Sequence, residues 1–175
     1  MKLHQTLLAA TMLVAVAGCG KKRPAQLPPP PLQDSATGTD QGATGPQTDA
    51  NGNVIPGSDA DFRRSVSANT VLFGLDQYDI DATARAILDS QAEWLARNPR
   101  VRVTIEGHAD ERGTREYNLA LGDQRANAAK NYLAARGVDA ARMTTISYGK
   151  ERPAALGSDE DSYAQNRRAV TVVPN

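Results

Sequence analysis

The chain has 175 residues with one Cys, and its 20 Lys and Arg are balanced by 20 Asp and Glu. A formal net charge of zero argues against a large basic surface of the kind that binds nucleic acid, and the length allows one folded core with a tail. A single Cys excludes an internal disulfide, a C-x-x-C redox pair and a Cys-based zinc site.

The N-terminus combines a positive charge, a short apolar run and the single Cys of the chain. Lys2 supplies a positive charge, and the apolar run at 7–17 is far shorter than the roughly 20 residues that cross a bilayer as a helix. The run leads into the sequence VAGC, which places Cys19 directly after small residues. This pattern resembles a bacterial lipobox, which implies removal of residues 1–18 and acylation of Cys19. An incidental Cys behind an ordinary signal peptide is the alternative.

The segment after Cys19 is predicted to be a tether. Gly20 stands where lipoproteins kept in the inner membrane typically carry Asp, so the resemblance implies the outer membrane. From there to about residue 65 the chain has almost no apolar periodicity and contains seven of the ten Pro. Such a composition cannot bury enough apolar surface to offset the entropy of ordering, so residues 19–65 are predicted to form a lipidated, disordered tether.

Regular patterns begin near Val66 and predict one domain over residues 66–175. In its first half, apolar residues alternate or recur at helical spacing in three runs. The predicted elements are a short strand at 70–73, a helix at 82–97 capped by Asp81 and stopped by Asn98-Pro99, and a half-buried strand at 101–106. Trp94 lies off the main apolar face of that helix, where a packing role is favoured over contact with a partner.

The second half predicts one more helix and two more strands. Helical spacing predicts a helix over 117–136, ended by a left-handed Gly137, and Asp139 is placed to cap a single turn. The remaining predictions are a strand at 144–148, a long irregular stretch at 149–166 and a last strand at 169–173. The order βαβαβ-β predicts an α/β (α+β) sandwich, with two main helices on one face of a small mixed sheet.

The densest polar cluster is the segment 106–113, which lies after a predicted strand and before a predicted helix. Folds of this class tend to place ligand sites there. Arg125 lies at the margin of the buried face of the next helix, where a guanidinium requires a carboxylate from the protein or from a ligand. Asp110 and Arg125 together could hold a zwitterion, and substitution of either is then expected to abolish binding at little cost in stability. An internal ion pair between the two is the alternative.

Other polar residues of the domain have less specific patterns. His108 invites a metal site or a catalytic base, but the other histidine, His4, lies in the signal peptide and loop carboxylates alone are poor transition-metal ligands. No G-x-S-x-G motif accompanies His108. We therefore expect no enzyme activity, no metal and no cofactor. Arg167 and Arg168 are expected to be solvated at the start of the last strand.

Six segments of the domain form a recognisable set of motifs. They are FGLDQYDI at 73–80, VTIEGHADERGT at 103–114, YN at 117–118, RANA at 125–128, SYGKE at 147–151 and NRRAV at 166–170. Together they resemble the OmpA-like peptidoglycan-binding domain family. With the lipobox and the Pro-rich tether, the chain is similar to the lipid-anchored members of this family in Gram-negative bacteria. A flagellar stator-like member of the same fold, or a structural adaptor with an internal ion pair, is the alternative.

The resemblance implies a noncatalytic function and a set of binding residues. The ligand would be the stem peptide of peptidoglycan, recognised through meso-diaminopimelate. The family's pocket residues fall on Asp76, Asp110, Asn118, Leu121 and Arg125. The resemblance also implies binding to TolB of the Tol system over a surface near the pocket. The protein would then tie the outer membrane to the cell wall from the periplasm and act in envelope constriction during cell division.

Overall fold

The computed structural model describes residues 48–49 and 51–174, which all belong to one compact unit. In chain order the elements are α1 (Asp59–Ser65), β1 (Thr70–Leu72), α2 (Ala82–Arg97), β2 (Val103–His108), α3 (Arg115–Ala135), a 3-10 turn (Ala140–Arg142), β3 (Met143–Gly149), α4 (Glu160–Asn166) and β4 (Arg168–Val172). The predicted signal peptide, Cys19 and the first part of the tether lie outside the described residues. Within the described part, no helix is long and apolar enough to cross a membrane.

The four strands form one mixed sheet in the order β1-β4-β2-β3. β2 pairs with β3 in parallel, whereas β4 lies between β1 and β2 and is antiparallel to both. Alternate strand side chains join α2 and α3 in the hydrophobic core, which includes Val71, Ile105, Leu88, Leu95 and Leu133. The predicted fold class, with two main helices packed on a small mixed sheet, is confirmed.

The helix ends follow local capping chemistry. α2 has the predicted bounds, and the Asp81 Oδ1 accepts a hydrogen bond from the Ala84 amide at 2.7 Å. α3 begins two residues before the predicted start because Thr114 caps it, accepting from the Tyr117 amide at 3.2 Å. Gly137 ends α3 with φ of +93°, as predicted.

α1 lies where the sequence predicted a disordered tether, so that prediction is wrong for residues 59–65. Phe62 is fully buried and packs edge-to-face on Trp94, with ring centroids 4.9 Å apart. The Trp94 Nε1 donates to the Asp61 Oδ2 at 3.2 Å. The folded domain therefore begins before Asp59, and the predicted packing role of Trp94 is confirmed.

α4 lies inside the stretch that was predicted to be irregular. Its last residue, Asn166, is buried, and its side chain closes the preceding loop by three hydrogen bonds. The Oδ1 accepts from the amides of Ala154 at 2.7 Å and Ala155 at 3.1 Å, and the Nδ2 donates to the Ala155 carbonyl at 2.8 Å. This loop and α4 bring Glu160 and Arg167 to the end of the sheet where the pocket lies.

Candidate functional site

A pocket of about 320 Å³ opens beside the C-terminal end of β2. Its lining includes every binding residue that the sequence analysis named in the domain: Asp76, Asp110, Asn118, Leu121 and Arg125. The structure adds residues that the sequence analysis did not name as binding residues: Leu75, Arg112, Gly113, Tyr117 and Arg167. Segments far apart in the chain therefore meet at one end of the sheet.

Arg125 lies fully buried at this pocket and is held by backbone carbonyls. Its Nε donates to the Gln77 carbonyl at 2.9 Å, its Nη1 to the His108 carbonyl at 2.8 Å and its Nη2 to the Gly74 carbonyl at 3.1 Å. Burial lowers the pKa of Arg125 to about 10, so the side chain stays charged at neutral pH. The guanidinium thus joins α3 to the β1–α2 loop, and these three bonds use three of its five N–H groups.

Asp110 is bonded to two other arginines and forms no direct ion pair with Arg125 in the described structure. Its Oδ2 contacts the Arg112 Nη2 and lies 3.4 Å from the Arg167 Nη1. Its Oδ1 accepts from the Arg112 amide at 3.2 Å. Burial by itself raises the pKa of Asp110, but the hydrogen bonds from Arg112 outweigh it and lower the pKa below its usual value. The alternative of an internal Asp110–Arg125 bridge is therefore wrong.

Arg167 is buried, so the expectation of a solvated side chain is wrong. Its Nε donates to the Phe73 carbonyl at 3.1 Å, and its Nη2 lies 2.8 Å from the Glu160 Oε1. Arg112 lies 3.6 Å from the Glu160 Oε2 and stacks over the Tyr163 ring at 4.4 Å. α4 thus supplies the partners that hold both arginines beside Asp110.

Asn118 and Asp76 fix the two loops on either side of the pocket. Asn118 is buried, and its Nδ2 donates to the Arg112 carbonyl at 2.7 Å. Asp76 has a left-handed backbone with φ of +53°, and its Oδ1 accepts from the Tyr117 hydroxyl at 3.2 Å. Burial and this hydrogen bond both raise the pKa of Tyr117. Two carboxylates line the pocket, and of these Asp76 is exposed and has fewer protein partners than Asp110.

Two glycines allow β2 and α3 to approach each other closely beside the pocket. A Cβ on Gly107 would lie 1.8 Å from the Gly122 carbonyl oxygen, and a Cβ on Gly122 would lie 2.3 Å from the Ser147 Oγ. Glycine is required at both positions because any larger residue would collide. Ser147 also donates to the Leu119 carbonyl at 2.7 Å. α3 therefore lies directly on the sheet, which brings Arg125 within reach of the His108 carbonyl.

The pocket combines both signs of charge with apolar contact surface. Three arginines and two aspartates line it, while Leu75 and Tyr117 are about half exposed at its edge. Such a site can bind a small zwitterion, with the ligand carboxylate accepting from a guanidinium and its ammonium group donating to a carboxylate. In residues 48–49 and 51–174, no three His, Cys, Asp or Glu side chains are grouped as metal ligands.

Comparison with known proteins gives consistent similarities. The model of the OmpA family matches residues 72–167. The peptidoglycan-associated lipoproteins of Rhizobium meliloti and Agrobacterium fabrum are 48% and 46% identical to this chain over 170 residues, which are 97% of this chain and 88% of each relative. The crystal structure of the peptidoglycan-associated lipoprotein from Burkholderia pseudomallei is 46% identical, with a TM-score of 0.59, over 61% of this chain and 90% of that one.

Proposed function

The chain belongs to the peptidoglycan-associated lipoproteins of the OmpA family, and we propose that its domain binds peptidoglycan through the pocket at the end of β2. Membership implies peptidoglycan binding and a linking role in the cell envelope. We propose meso-diaminopimelate in the stem peptide as the recognised group. Binding is noncovalent and involves no catalytic step.

The observation that carries this proposal is the placement of a buried guanidinium beside an exposed carboxylate. The free end of meso-diaminopimelate carries an ammonium and a carboxylate on one carbon. We propose that its carboxylate accepts from the N–H groups of Arg125 that the backbone carbonyls do not use. Asp76 accepts from the ammonium, since Asp110 is already bonded to Arg112 and Arg167. The methylene groups of the ligand contact Leu121 and the edge residues.

The affinity of one pocket is expected to be modest. Each charge-assisted hydrogen bond contributes roughly 1.5 to 3 kcal/mol, and ordering of the peptide offsets part of that. The cell wall repeats the same ligand many times, and the membrane carries many copies of the protein. Rebinding of tethered copies then produces a firm attachment from weak single contacts.

We further propose that Cys19 anchors the protein in the outer membrane and that the domain faces the periplasm. The domain also binds TolB of the Tol system near the pocket, where the exposed Leu75 and Tyr117 offer apolar surface to a protein partner. Wall binding and TolB binding then compete for the same end of the domain. This competition would couple attachment to envelope constriction during cell division.

Sedimentation with purified sacculi tests the ligand assignment. Residues 40–175, the whole compact unit, should sediment with sacculi and be released by free meso-diaminopimelate. Nα-acetyllysine amide should not release the protein, because its α-groups are blocked and its side chain ends in an ammonium without a carboxylate. Release by both compounds, or by neither, would contradict the proposal.

Asp76→Asn provides the matched variant, with Asp79→Asn as its control. Asn is among the residues that tolerate the left-handed backbone at position 76, so the fold should be retained. We expect about tenfold weaker sacculus binding for Asp76→Asn, because the ammonium loses a charged acceptor. Asp79 is exposed and does not line the pocket, so Asp79→Asn should bind like the parent. Equal binding by both variants would remove Asp76 from the site.

A further inference from the structure

A cluster of unpaired arginines lies at the end of the domain remote from the pocket. We call this cluster, Arg97, Arg100 and Arg102, the cationic pole. It spans the end of α2 and the turn into β2, and all three residues are exposed. None of them forms an ion pair within the part of the chain that the structure describes, whereas the ion pairs of Arg63, Arg115 and Arg136 lie elsewhere.

Nearby carboxylates leave the cationic pole with an excess of positive charge. Asp59 is paired with Arg63, with Oδ2 and Nε 2.6 Å apart. The Asp61 Oδ2 accepts from the Gly57 amide at 2.9 Å and from the Trp94 Nε1 at 3.2 Å. Glu93 lies one turn before Arg97 on α2 and forms no ion pair in the described part of the chain. Two carboxylates without an ion pair, Asp61 and Glu93, thus lie near three unpaired arginines.

The N-terminal part of the chain joins the domain at this same pole. Arg97 and Arg100 line a cavity of about 220 Å³ together with Pro56 and Gly57. The segment before Pro56 leads back to Cys19. The pocket residue Asp110 lies beyond the opposite end of β2, and a six-residue strand is roughly 20 Å long. The wall-binding pocket and the junction with the N-terminal segment are therefore at opposite ends of β2.

We propose that the cationic pole docks on the anionic phospholipid headgroups of the membrane that holds the protein. A headgroup phosphate would lie between Arg97 and Arg100, whose guanidinium groups are suited to phosphate oxygens. Each arginine near an anionic membrane surface strengthens binding about fivefold. The membrane is favoured over free phosphate as the occupant because the chain that leaves this pole leads to the anchoring Cys19. The inference rests on the proposed anchor.

Vesicle sedimentation tests the docking. The mature chain from residue 19 carries Cys19→Ser, so that no lipid anchors it, and vesicles contain phosphatidylcholine with or without phosphatidylglycerol. We expect binding only to the anionic vesicles, and at least about a tenfold lower partition coefficient for Arg97→Gln/Arg100→Gln/Arg102→Gln. The basic cluster 21–23 is present in every protein, so the difference reports the pole.

The control variant Arg85→Gln/Arg115→Gln/Lys130→Gln removes the same charge elsewhere and should bind vesicles like the parent. Equal losses in both triple variants, or no loss in the pole variant, would overturn the proposal. Displacement by inorganic phosphate but not by chloride at equal ionic strength would assign the pole to free phosphate and also overturn it. The pole variant should keep its melting temperature and its sacculus binding. Failure of the parent to bind sacculi would contradict the proposed function alone.

Discussion

Arg125 holds separate parts of the fold together and is also the residue that we propose to bind the ligand carboxylate. Its three bonds to the carbonyls of Gly74, Gln77 and His108 connect α3 to the β1–α2 loop and to the end of β2. The sequence analysis expected substitution of Arg125 to cost little stability. Because of these three contacts, we now expect the substitution to destabilise the fold. Loss of binding by an Arg125 variant therefore cannot by itself identify a ligand contact.

We expect Arg125→Ala to lower the free energy of unfolding by about 3 kcal/mol or more. The substitution leaves three carbonyls without their donor, and each buried unsatisfied group costs about 1 to 3 kcal/mol. Urea denaturation of residues 40–175 measures the loss. A midpoint within experimental error of the parent would show that water replaces the guanidinium at little cost.

Asp110 is expected to make stability depend on pH in the acidic range. Because its pKa is lower in the folded state than in the unfolded chain, it stabilises the fold fully above the ordinary aspartate pKa of about 3.9. This stabilisation is lost as pH falls through the lower, folded pKa. The urea midpoint of the parent should therefore fall between neutral pH and a pH below 4. The midpoint of Asp110→Asn should fall by a smaller amount over the same pH change. A parallel pH profile for the two proteins would contradict this assignment.

At the scale of elements, the sequence predicts those that carry their own local signals. α2 has a capping Asp81, an apolar face and a stop at Pro99, and its predicted bounds agree with the structure. α1 and α4 have seven residues each, too few for a clear periodicity. Their stability comes from distant partners, such as Trp94 for α1. A single sequence does not display those contacts.

In the site, too, the residues with a local sequence signal could be predicted, whereas the contacts between distant residues could not. Asp76, Asp110, Asn118, Leu121 and Arg125 are named by motif resemblance, and the structure brings them to one pocket. The arrangement of the arginines around Asp110 could not be predicted, because it depends on α4, which was expected to be irregular chain. An Arg side chain is ordinarily expected to be exposed. Arg167 is buried because its tertiary partners, the Phe73 carbonyl, Asp110 and Glu160, surround it.

α1 is expected to be required for a stable domain. Phe62→Ala should lower the free energy of unfolding by about 3 to 5 kcal/mol, since a fully buried phenyl ring leaves a cavity against Trp94. Thermal melting of residues 40–175 measures this, with the exposed Arg64→Ala as the control within the same helix. Equal melting temperatures for Phe62→Ala and the parent would show that α1 contributes little.

At the scale of the whole molecule, the proposed linkage requires one end in the membrane and the other on the wall. The pocket and the junction with the N-terminal segment lie at opposite ends of β2, which suits a domain that bridges two surfaces. The sequence before residue 48 supplies the predicted lipid attachment. The two functions therefore reside in separate parts of the chain and can be tested separately.

Cys19→Ser should abolish incorporation of labelled palmitate and release the protein from the outer membrane fraction. The reason is that Cys19 is the only thiol in the sequence that can carry a lipid. Sacculus binding by the solubilised variant should persist, because the pocket lies in the folded domain. Continued acyl labelling of the variant would contradict the predicted anchor.

The position of α1 at the start of the domain has a mechanical consequence. In the proposed linkage, tension between the membrane and the wall would enter through the segment before α1 and leave through the pocket. α1 is short and is held mainly through Phe62 and Asp61 on Trp94, so it should peel away before the sheet yields. Seven residues that pass from helix to extended chain add about 13 Å of length. In the proposed linkage the first helix would therefore be the first element to extend under force, and the domain would lose the stability that Phe62 provides.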